Sequence, residues 1–464
     1  MVKPTRIAAV LGLVVGLRLL FLFSWHDVWW DSAVYMGMGK FLLSGGKVGL
    51  WEHLRPPLVP LFLGLFWKLG LDPVLFGRLM EIVFVGGISY LTFLIGRDLF
   101  GEEEGLVSAL VVGLSPIFFQ LSFQQYTEIP SVFFVLLAVF LFLRERYFFA
   151  GIASGFAFLA RFPAALVVVV LGLVIVSQKR WKQSFSIAGG FLVMLIPYLG
   201  LSWWVYGSLW ETLRSGKESV GLVLGCNVLR YHLWYEYFIW TFWAETPLNV
   251  LSIVGVYGLV KKWNKKYSVV VLGALVPFVY FAQLHCREHR YGTSFLPFVA
   301  LLSGVGVVLL VRRLGVNDFK PVYIGLLAVL FFGLFSFYAA NEVQYPSAVE
   351  TEYDHFLAFN APKGEVWSAN PIPIAYAEVL MEKVYYPFYN SSRAIEVLRE
   401  LSTNNHVGTV LLDNCGGGII CPPGDDPCPG KTEEIVRLLD GKLKRVFDKE
   451  AGRCWYRVWS TSVS

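Results

Sequence analysis

Charged residues are scarce in this sequence. Only 16% of its 464 residues are Asp, Glu, Lys or Arg, whereas 56% are hydrophobic and the mean hydropathy is +0.58. Soluble domains contain nearer a quarter charged residues, so the composition favours a membrane protein. The formal net charge of +5 is also small, and the basic residues form short clusters rather than the groove that nucleic acid requires. We therefore expect membrane lipids, and no nucleic acid, as partners.

Three other features are missing from the sequence. The first apolar run is not followed by a small-residue cleavage site, so we expect no cleavable signal peptide. No internal repeat is evident, although transporters commonly contain repeats. The cysteines form no tight CxxC pair, which disfavours a zinc site.

Apolar segments long enough to cross a bilayer follow one another along most of the chain. About 20 residues are needed to cross about 30 Å of hydrocarbon. Short Lys/Arg clusters separate these segments, and we place them all in the cytoplasm together with the N-terminus. The apolar segment 57–69 is too short to span, so we expect an interfacial helix there. The eleven predicted spans are 7–24, 76–97, 105–120, 130–143, 148–160, 163–178, 185–205, 246–260, 267–284, 292–311 and 321–339.

An odd number of spans places the C-terminal segment outside the cytoplasm. We expect a transmembrane domain over 1–339, with a first external loop at 25–75, and a soluble domain over 340–464. Helix-like and strand-like stretches alternate in the soluble segment. The predicted fold class is an all-α polytopic membrane protein with a small extracytoplasmic α/β domain at its C-terminus.

Cysteine is rare, and its distribution agrees with this topology. No cysteine falls in a predicted cytoplasmic loop, and an even number on one side is typical of disulfides in an oxidising compartment. The first two could tie two external loops together, and the last four could pair in three ways. A zinc site formed by the third, fourth and fifth is the alternative. The six residues are Cys226, Cys286, Cys415, Cys421, Cys428 and Cys454.

Polar residues collect at the predicted outer ends of the spans. Asp31 follows the first span, and Arg55 precedes a double proline. Glu128 precedes the fourth span, and Arg290 lies before the tenth. Arg161 separates two short helices, so it should lie below the membrane surface, where a charge is costly unless it lines a polar cavity.

Each of these residues also has a purely structural interpretation. Asp31 could cap a helix, and Glu128 could favour the positive end of one. Arg161 and Arg290 could anchor at lipid headgroups. Two carboxylates with cationic partners are nevertheless what transfer from a phosphate donor needs, namely a base and a phosphate clamp. The aromatic loop 206–245 is typical of a membrane-interface belt, and it could also stack on a sugar or line a lipid groove.

The order of these residues resembles that of a known family. Asp31 and Tyr35 after the first span, then Arg55-Pro56-Pro57-Leu58, the helical pair 150–163 and Arg290-Tyr291 are similar to motifs of GT-C type glycosyltransferases. Within this class, the likeness is to protein O-mannosyltransferases and to bacterial lipid A aminoarabinose transferases, which use dolichyl- or polyprenyl-phosphate sugars.

The resemblance covers about residues 1–310 and has one departure. The family has a second acidic residue directly after the first, whereas Ser32 follows Asp31 here. Glu128 or Glu52 could supply the missing carboxylate.

The resemblance implies a GT-C fold and inverting transfer of a sugar from a lipid-phosphate donor. The acceptor would be a hydroxyl of a protein, lipid or glycan. Asp31 would be the general base, and Arg290, Arg161, Arg55 and Tyr291 would bind the donor phosphate.

Further roles follow from the same resemblance. Glu128 would be a second catalytic residue, whereas Tyr35, Glu52 and His53 would contact substrate. A divalent metal ion is compatible with Glu52, His53, His285 and His289, but neither its ligands nor any other cofactor is assigned. We expect a plasma-membrane protein whose active site is extracytoplasmic. Two alternatives remain, namely oligosaccharyltransferase-like transfer and transport of lipid-linked glycans.

Overall fold

The computed structural model divides into two compact units. The helical unit comprises Met1–Trp25, Arg78–Ser215 and His232–Val343, and the mixed unit comprises His26–Gly77, Gly216–Tyr231 and Gln344–Ser464. Each unit is described here by itself. The described residues are 4–23, 28–52, 54–212, 214, 232–284, 287–314, 346–362, 364–368, 370–384, 407–414 and 427–461.

Helices dominate the described chain. The α-helices are α1 (Pro4–Leu20), α2 (Trp30–Ser44), α3 (Leu58–Lys68), α4 (Pro73–Leu99), α5 (Glu102–Gly113), α6 (Pro116–Leu121), α7 (Glu128–Leu143), α8 (Tyr147–Ala160), α9 (Leu166–Ser177), α10 (Trp181–Tyr206), α11 (Glu236–Ile239), α12 (Ser252–Lys261), α13 (Ser268–Gln283), α14 (Leu296–Arg313), α15 (Ala348–Asp354), α16 (Phe356–Phe359), α17 (Ile372–Tyr376) and α18 (Pro427–Asp440). Short 3₁₀ or π segments cover Phe162–Ala165, Trp240–Glu245, Pro247–Leu251, Lys265–Tyr267 and His289–Ser294. The strands are β1 (Glu365–Ser368), β2 (Met381–Val384), β3 (Val407–Asp413), β4 (Lys444–Ala451) and β5 (Cys454–Ser460).

Four helical stretches of the described chain are long and apolar enough to cross a membrane, judged by length and composition. They are α4, α10, the stretch Lys265–Gln283 and α14. Shorter apolar helices coincide with most of the other predicted spans. The predicted span 321–339 lies outside the described residues, and the count of eleven stays a prediction.

The predicted span 105–120 is divided in the structure. α5 ends at Gly113 and α6 begins at Pro116, which lacks the N–H needed to continue a helix. Ser115 caps α6 by accepting a backbone N–H. The Gly113 carbonyl at the break accepts a hydrogen bond from the fully buried Arg18 of α1, at 2.8 Å. Arg18 therefore satisfies a helix end that hydrocarbon could not.

Close backbone packing fixes the position of α8. A Cβ atom at Gly151 would lie 2.1 Å from the Ile187 carbonyl oxygen of α10, and one at Gly190 would lie 2.0 Å from that of Phe148. Small residues allow membrane helices to approach in this way, since lipid supplies no hydrophobic drive for helix association. The packing holds the end of α8, which leads directly into Arg161.

The mixed unit contains a five-stranded sheet with the order β2-β1-β3-β5-β4. β1 pairs in parallel with β2 and β3, whereas β5 is antiparallel to β3 and β4. Every residue of the central β3 is buried, as expected of a strand covered on both faces. The turn between β4 and β5 contains Gly452 at φ +65°, a conformation that favours glycine. A small α/β fold is therefore present, and the side of the membrane that it occupies stays a prediction.

The predicted first external loop folds together with the C-terminal segment. Lys40 of α2 donates to the Ala375 and Ala377 carbonyls at the end of α17, each at 2.9 Å. Residues of α2 and of the sheet also share one buried core. The predicted boundary at 339/340 separates chain segments, whereas the mixed unit additionally includes residues from the first loop. Core members are Val34, Met38, Leu50, Tyr353, Val366, Leu411 and Val458.

The predicted disulfides fall largely outside the described residues. Cys454 begins β5. Cys226, Cys286, Cys415 and Cys421 lie outside the described residues, and so does the side chain of Cys428. The pairings and the alternative zinc site therefore stay predictions.

Candidate active site

The first group of polar residues, which we call the acid-rich cluster, comprises Asp31, Tyr35, Glu52 and Arg55 of the mixed unit. Asp31 and Tyr35 are one turn apart on α2, so their side chains share a face of that helix. The Arg55 guanidinium bonds to all three partners. Its Nη2 lies 2.8 Å from Asp31 Oδ1, its Nε 2.6 Å from Glu52 Oε2, and its Nη1 3.0 Å from the Tyr35 hydroxyl.

The acid-rich cluster is largely shielded from solvent. The side chains of Asp31 and Arg55 are each 16% exposed and that of Glu52 is 8% exposed. The guanidinium also lies over the rings of Tyr35 and Trp30, at 5.0 and 5.7 Å from their centroids. Within the described chain, the second oxygen of Glu52, Oε1, has no hydrogen-bond partner. The cluster therefore holds two carboxylates against one cation.

The structure bears on two alternatives left by the sequence. Trp29 is the N-cap of α2 and Asp31 lies inside the helix, so the interpretation of Asp31 as the cap is wrong. Glu52 shares Arg55 with Asp31, so a second carboxylate lies beside Asp31, and its role in place of Ser32 stays a prediction.

The second group, which we call the arginine-rich cluster, comprises Glu128, Arg161, Glu288 and Arg290 of the helical unit. Glu128 begins α7, and Arg161 lies between α8 and the following 3₁₀ turn. Glu128 Oε1 is 2.8 Å from Arg161 Nη1 and 3.7 Å from Arg290 Nε. Arg290 Nε also donates to Glu288. Three separate stretches of sequence thus meet at one carboxylate.

Aromatic rings orient both arginines. Arg161 lies over the Tyr291 ring at 5.0 Å, and Arg290 lies over Tyr126 and Tyr291 at 5.0 and 5.7 Å. Tyr291 in turn stacks on Phe281. Burial raises the pKa of the Tyr291 hydroxyl, so that it remains a neutral hydrogen-bond donor at ordinary pH. Guanidinium groups fixed in this way match the oxygens of a phosphate.

An apolar cavity adjoins the arginine-rich cluster along the chain. The empty space in it, including the open solvent at its mouth, is about 410 Å³. Ser131 lies one turn after Glu128, and Pro163 lies two residues after Arg161. The other lining residues are mostly aliphatic or aromatic, which suits a hydrocarbon ligand. They include Val132, Val135, Leu166, Val167, Pro277 and Phe298.

Sequence reasoning missed a second buried carboxylate in the helical unit. Glu245, which ends the π segment and is 1% exposed, lies 2.8 Å from His289 Nε2 and accepts from Ser115. π segments often occur at functional sites. His289 adjoins Arg290, so this network supports the loop that carries that arginine.

Glu81 of α4 was missed as well. Its side chain is fully buried. An acidic residue inside the predicted span 76–97 was a signal that could have found it, since such residues are rare in membrane helices.

The remaining predicted residues are not all described. His53 lies outside the described residues, so its role stays a prediction. No group of three or more His, Cys, Asp or Glu residues in the described part of the chain could hold a metal ion.

Comparisons with known proteins found similar sequences and similar folds. The family model described as dolichyl-phosphate-mannose-protein mannosyltransferase matches residues 54–204. An uncharacterized protein of Aquifex aeolicus is 23% identical over 310 residues, which cover 60% of this chain and 60% of that protein. The chain thus spans about three fifths of that relative's length.

Two solved structures are similar in fold. ArnT from Cupriavidus metallidurans bound to undecaprenyl phosphate is 14% identical, with a TM-score of 0.65 over 97% of this chain and 98% of that one. The oligosaccharyltransferase AglB from Archaeoglobus fulgidus, in complex with an inhibitory peptide and a dolichol-phosphate, is 11% identical. Its TM-score is 0.55 over 88% of this chain and 69% of that one. At these identities the likeness is one of fold. This likeness of fold agrees with the resemblance of the sequence to GT-C type membrane glycosyltransferases.

Proposed function

We propose that this protein transfers a sugar from a polyprenyl- or dolichyl-phosphate donor to an acceptor hydroxyl, with inversion, on the extracytoplasmic side of the plasma membrane. The observation that carries this proposal is the pair Arg161 and Arg290 beside an apolar cavity. A lipid phosphate needs both features, namely cations for its charge and hydrocarbon for its tail. The ligands named for ArnT and AglB are of this chemical class.

The proposed reaction is a single displacement. The acceptor oxygen attacks the anomeric carbon while the bond from that carbon to the phosphate oxygen breaks, so the configuration inverts. Asp31 takes the proton of the acceptor hydroxyl. The bond electrons leave with the carrier phosphate, which needs no strong general acid because it is already a good leaving group.

The arginine-rich cluster stabilises the departing phosphate. Negative charge on the phosphate increases as the bond breaks, and guanidinium groups held in place stabilise that charge without reorganisation. Tyr291 touches both arginines and donates a further hydrogen bond in this proposal. Glu128 holds the arginines until the donor arrives.

The acid-rich cluster supplies the base. Arg55 is shared by Asp31 and Glu52, which holds the Asp31 carboxylate in place for the incoming proton. Tyr35 and Glu52 contact the acceptor in this proposal. Arg55 thus orients the base Asp31, and we propose that it also contacts the donor phosphate.

A transfer assay with labelled donors tests the proposal. The purified protein in proteoliposomes would receive radiolabelled polyprenyl-phosphate monosaccharides, and release of label from the lipid fraction would be followed. We expect release by the wild type and a loss of about 10³-fold or more in Asp31→Asn, with donor binding retained. Asp72→Asn is the matched control, because Asp72 is exposed in the same unit and only caps α4.

The contrary outcomes are distinct. Near-normal turnover by Asp31→Asn would remove the proposed base. No release from any monosaccharide donor by a folded wild type would favour an oligosaccharide donor or transport instead. Retention of the anomeric configuration in the product, read by NMR, would contradict the single displacement.

A further inference from the structure

Glu81 is a buried acid that lacks partners in the described structure. It lies on α4, one of the stretches long enough to cross a membrane, and its side chain is fully buried. Neither Oε1 nor Oε2 has a hydrogen-bond partner in the part of the chain that the structure describes. A buried polar group without a partner destabilises the fold. An acid at such a position therefore indicates a function that outweighs this cost.

The neighbouring cation does not neutralise Glu81. Arg78, one turn earlier on α4, donates to the backbone carbonyls of Phe123 and Leu22, at 3.2 and 3.4 Å. Ionising a carboxyl in such surroundings is costly, which favours the protonated form of Glu81. In that form its carboxyl O–H can donate one hydrogen bond, and it has no acceptor among the described residues.

Glu128 is the group that needs such a donor. It is 3% exposed. α4 packs against α7 close to it, because the ring of Phe84, one turn after Glu81, lies 5.0 Å from that of Phe133, five residues after Glu128. In the structure, Arg161 balances its charge at 2.8 Å and Arg290 lies farther away at 3.7 Å. If both arginines turn towards a donor phosphate, Glu128 is left as a buried carboxylate with its cations engaged elsewhere. That state is unfavourable unless another donor replaces them.

We propose that Glu81 is a positioning residue that donates its hydrogen bond to Glu128 when Arg161 and Arg290 engage the carrier phosphate. The proton remains on Glu81, so no charge is created or lost. The acid thereby lowers the cost of moving the arginines from Glu128 to the ligand. This inference rests on the proposed function, because it requires the arginine-rich cluster to bind a lipid phosphate.

The test combines stability with ligand affinity in the full-length protein. Glu81→Leu removes the O–H donor of Glu81, and with it a buried polar group that has no partner among the described residues. We expect its unfolding temperature without ligand to rise by about 2 °C. Its affinity for undecaprenyl phosphate, measured by calorimetric titration in detergent, should fall about tenfold or more.

Two further variants separate the proposed role from a general effect. Glu81→Gln keeps an N–H donor of similar shape, so we expect an affinity within about threefold of the wild type. Thr92→Val is the matched control, because Thr92 is a second fully buried residue of α4 whose hydroxyl has no partner among the described residues. Its substitution should leave the affinity unchanged.

Several results would overturn the proposal. If Glu81→Leu bound undecaprenyl phosphate as tightly as the wild type, no hydrogen-bond donor at position 81 would be needed. If Glu81→Gln bound it as weakly as Glu81→Leu, hydrogen-bond donation would be excluded. A fall in the ligand-free unfolding temperature of Glu81→Leu would reveal a structural role instead. Failure of the wild type to bind undecaprenyl phosphate would remove the proposed function, and this inference with it.

Discussion

The two carboxylate–arginine clusters of this protein differ in how many arginines face their carboxylates. In the acid-rich cluster, the single guanidinium of Arg55 is shared by Asp31 and Glu52. In the arginine-rich cluster, the carboxylate of Glu128 lies within 4 Å of both Arg161 and Arg290, and Arg290 also pairs with Glu288. Spare negative charge suits proton removal, whereas paired guanidinium groups suit a phosphate. The same residue types can thus serve opposite steps of one transfer.

The clusters also differ in how the chain builds them. The acid-rich cluster comes from α2 and the short stretch that follows it, so its members are near in sequence. The arginine-rich cluster requires the start of α7, the end of α8 and the segment before α14. Its geometry therefore depends on the packing of several helices, as at Gly151 and Gly190.

The strongest test removes one arginine from each cluster in turn. Arg55→Met leaves two carboxylates without their shared cation, whereas Arg161→Met leaves Glu128 with Arg290 still nearby. We expect losses of about 4 and about 3 kcal/mol in the free energy of unfolding, respectively, since breaking a buried ion pair strands a charge. Unfolding in detergent, followed by circular dichroism, measures both.

An exposed ion pair provides the control for these variants. Arg180 and Glu145 lie 3.4 Å apart with side chains 47% and 67% exposed, so Arg180→Met should leave the stability nearly unchanged. A larger loss of unfolding free energy in Arg161→Met than in Arg55→Met would show that the number of arginines per carboxylate does not decide the stability of the two clusters.

A smaller effect is expected from the second carboxylate of the acid-rich cluster. In Glu52→Gln, the guanidinium of Arg55 is left to Asp31 alone, which makes Asp31 a weaker proton acceptor. We expect kcat to fall about tenfold, equivalent to about 1.4 kcal/mol, with the KM for donor unchanged. Steady-state kinetics over a range of donor concentrations separates the two constants. A change confined to KM would instead assign Glu52 to binding.

The smallest predicted effect concerns the hydroxyl of Tyr291. Tyr291→Phe removes one hydrogen bond to the phosphate, so we expect donor affinity to fall about threefold to tenfold. Burial raises the pKa of this hydroxyl above its ordinary value of about 10, so the hydroxyl stays protonated at pH 9. The ratio of wild-type to variant affinity should therefore stay constant from pH 6 to 9. A ratio that decreased towards pH 9 would mean that the hydroxyl ionises.

Much of the architecture was predictable, because it depends on local pattern. Long apolar runs and a polar C-terminal segment indicated a helical membrane protein with a small α/β fold. The break between α5 and α6 was missed, since an apolar run containing Ser115-Pro116 reads as continuous until the proline's missing N–H is considered. The packing of the first loop into the mixed unit was also missed, because α2 and the sheet are far apart in sequence.

The sequence by itself determined that the chain is mostly helical with long apolar segments, and it determined the order of the polar residues. Within one helix, the spacing of Asp31 and Tyr35 already places them on a common face. Only the tertiary structure decided that Glu52 joins Asp31 at Arg55, that Glu128 holds Arg161, and that Glu81 is left without a described partner. Burial of apolar surface drives helices together without direction, so the pairing of distant charges depends on how backbones and side chains fit, and a one-dimensional pattern does not contain that fit.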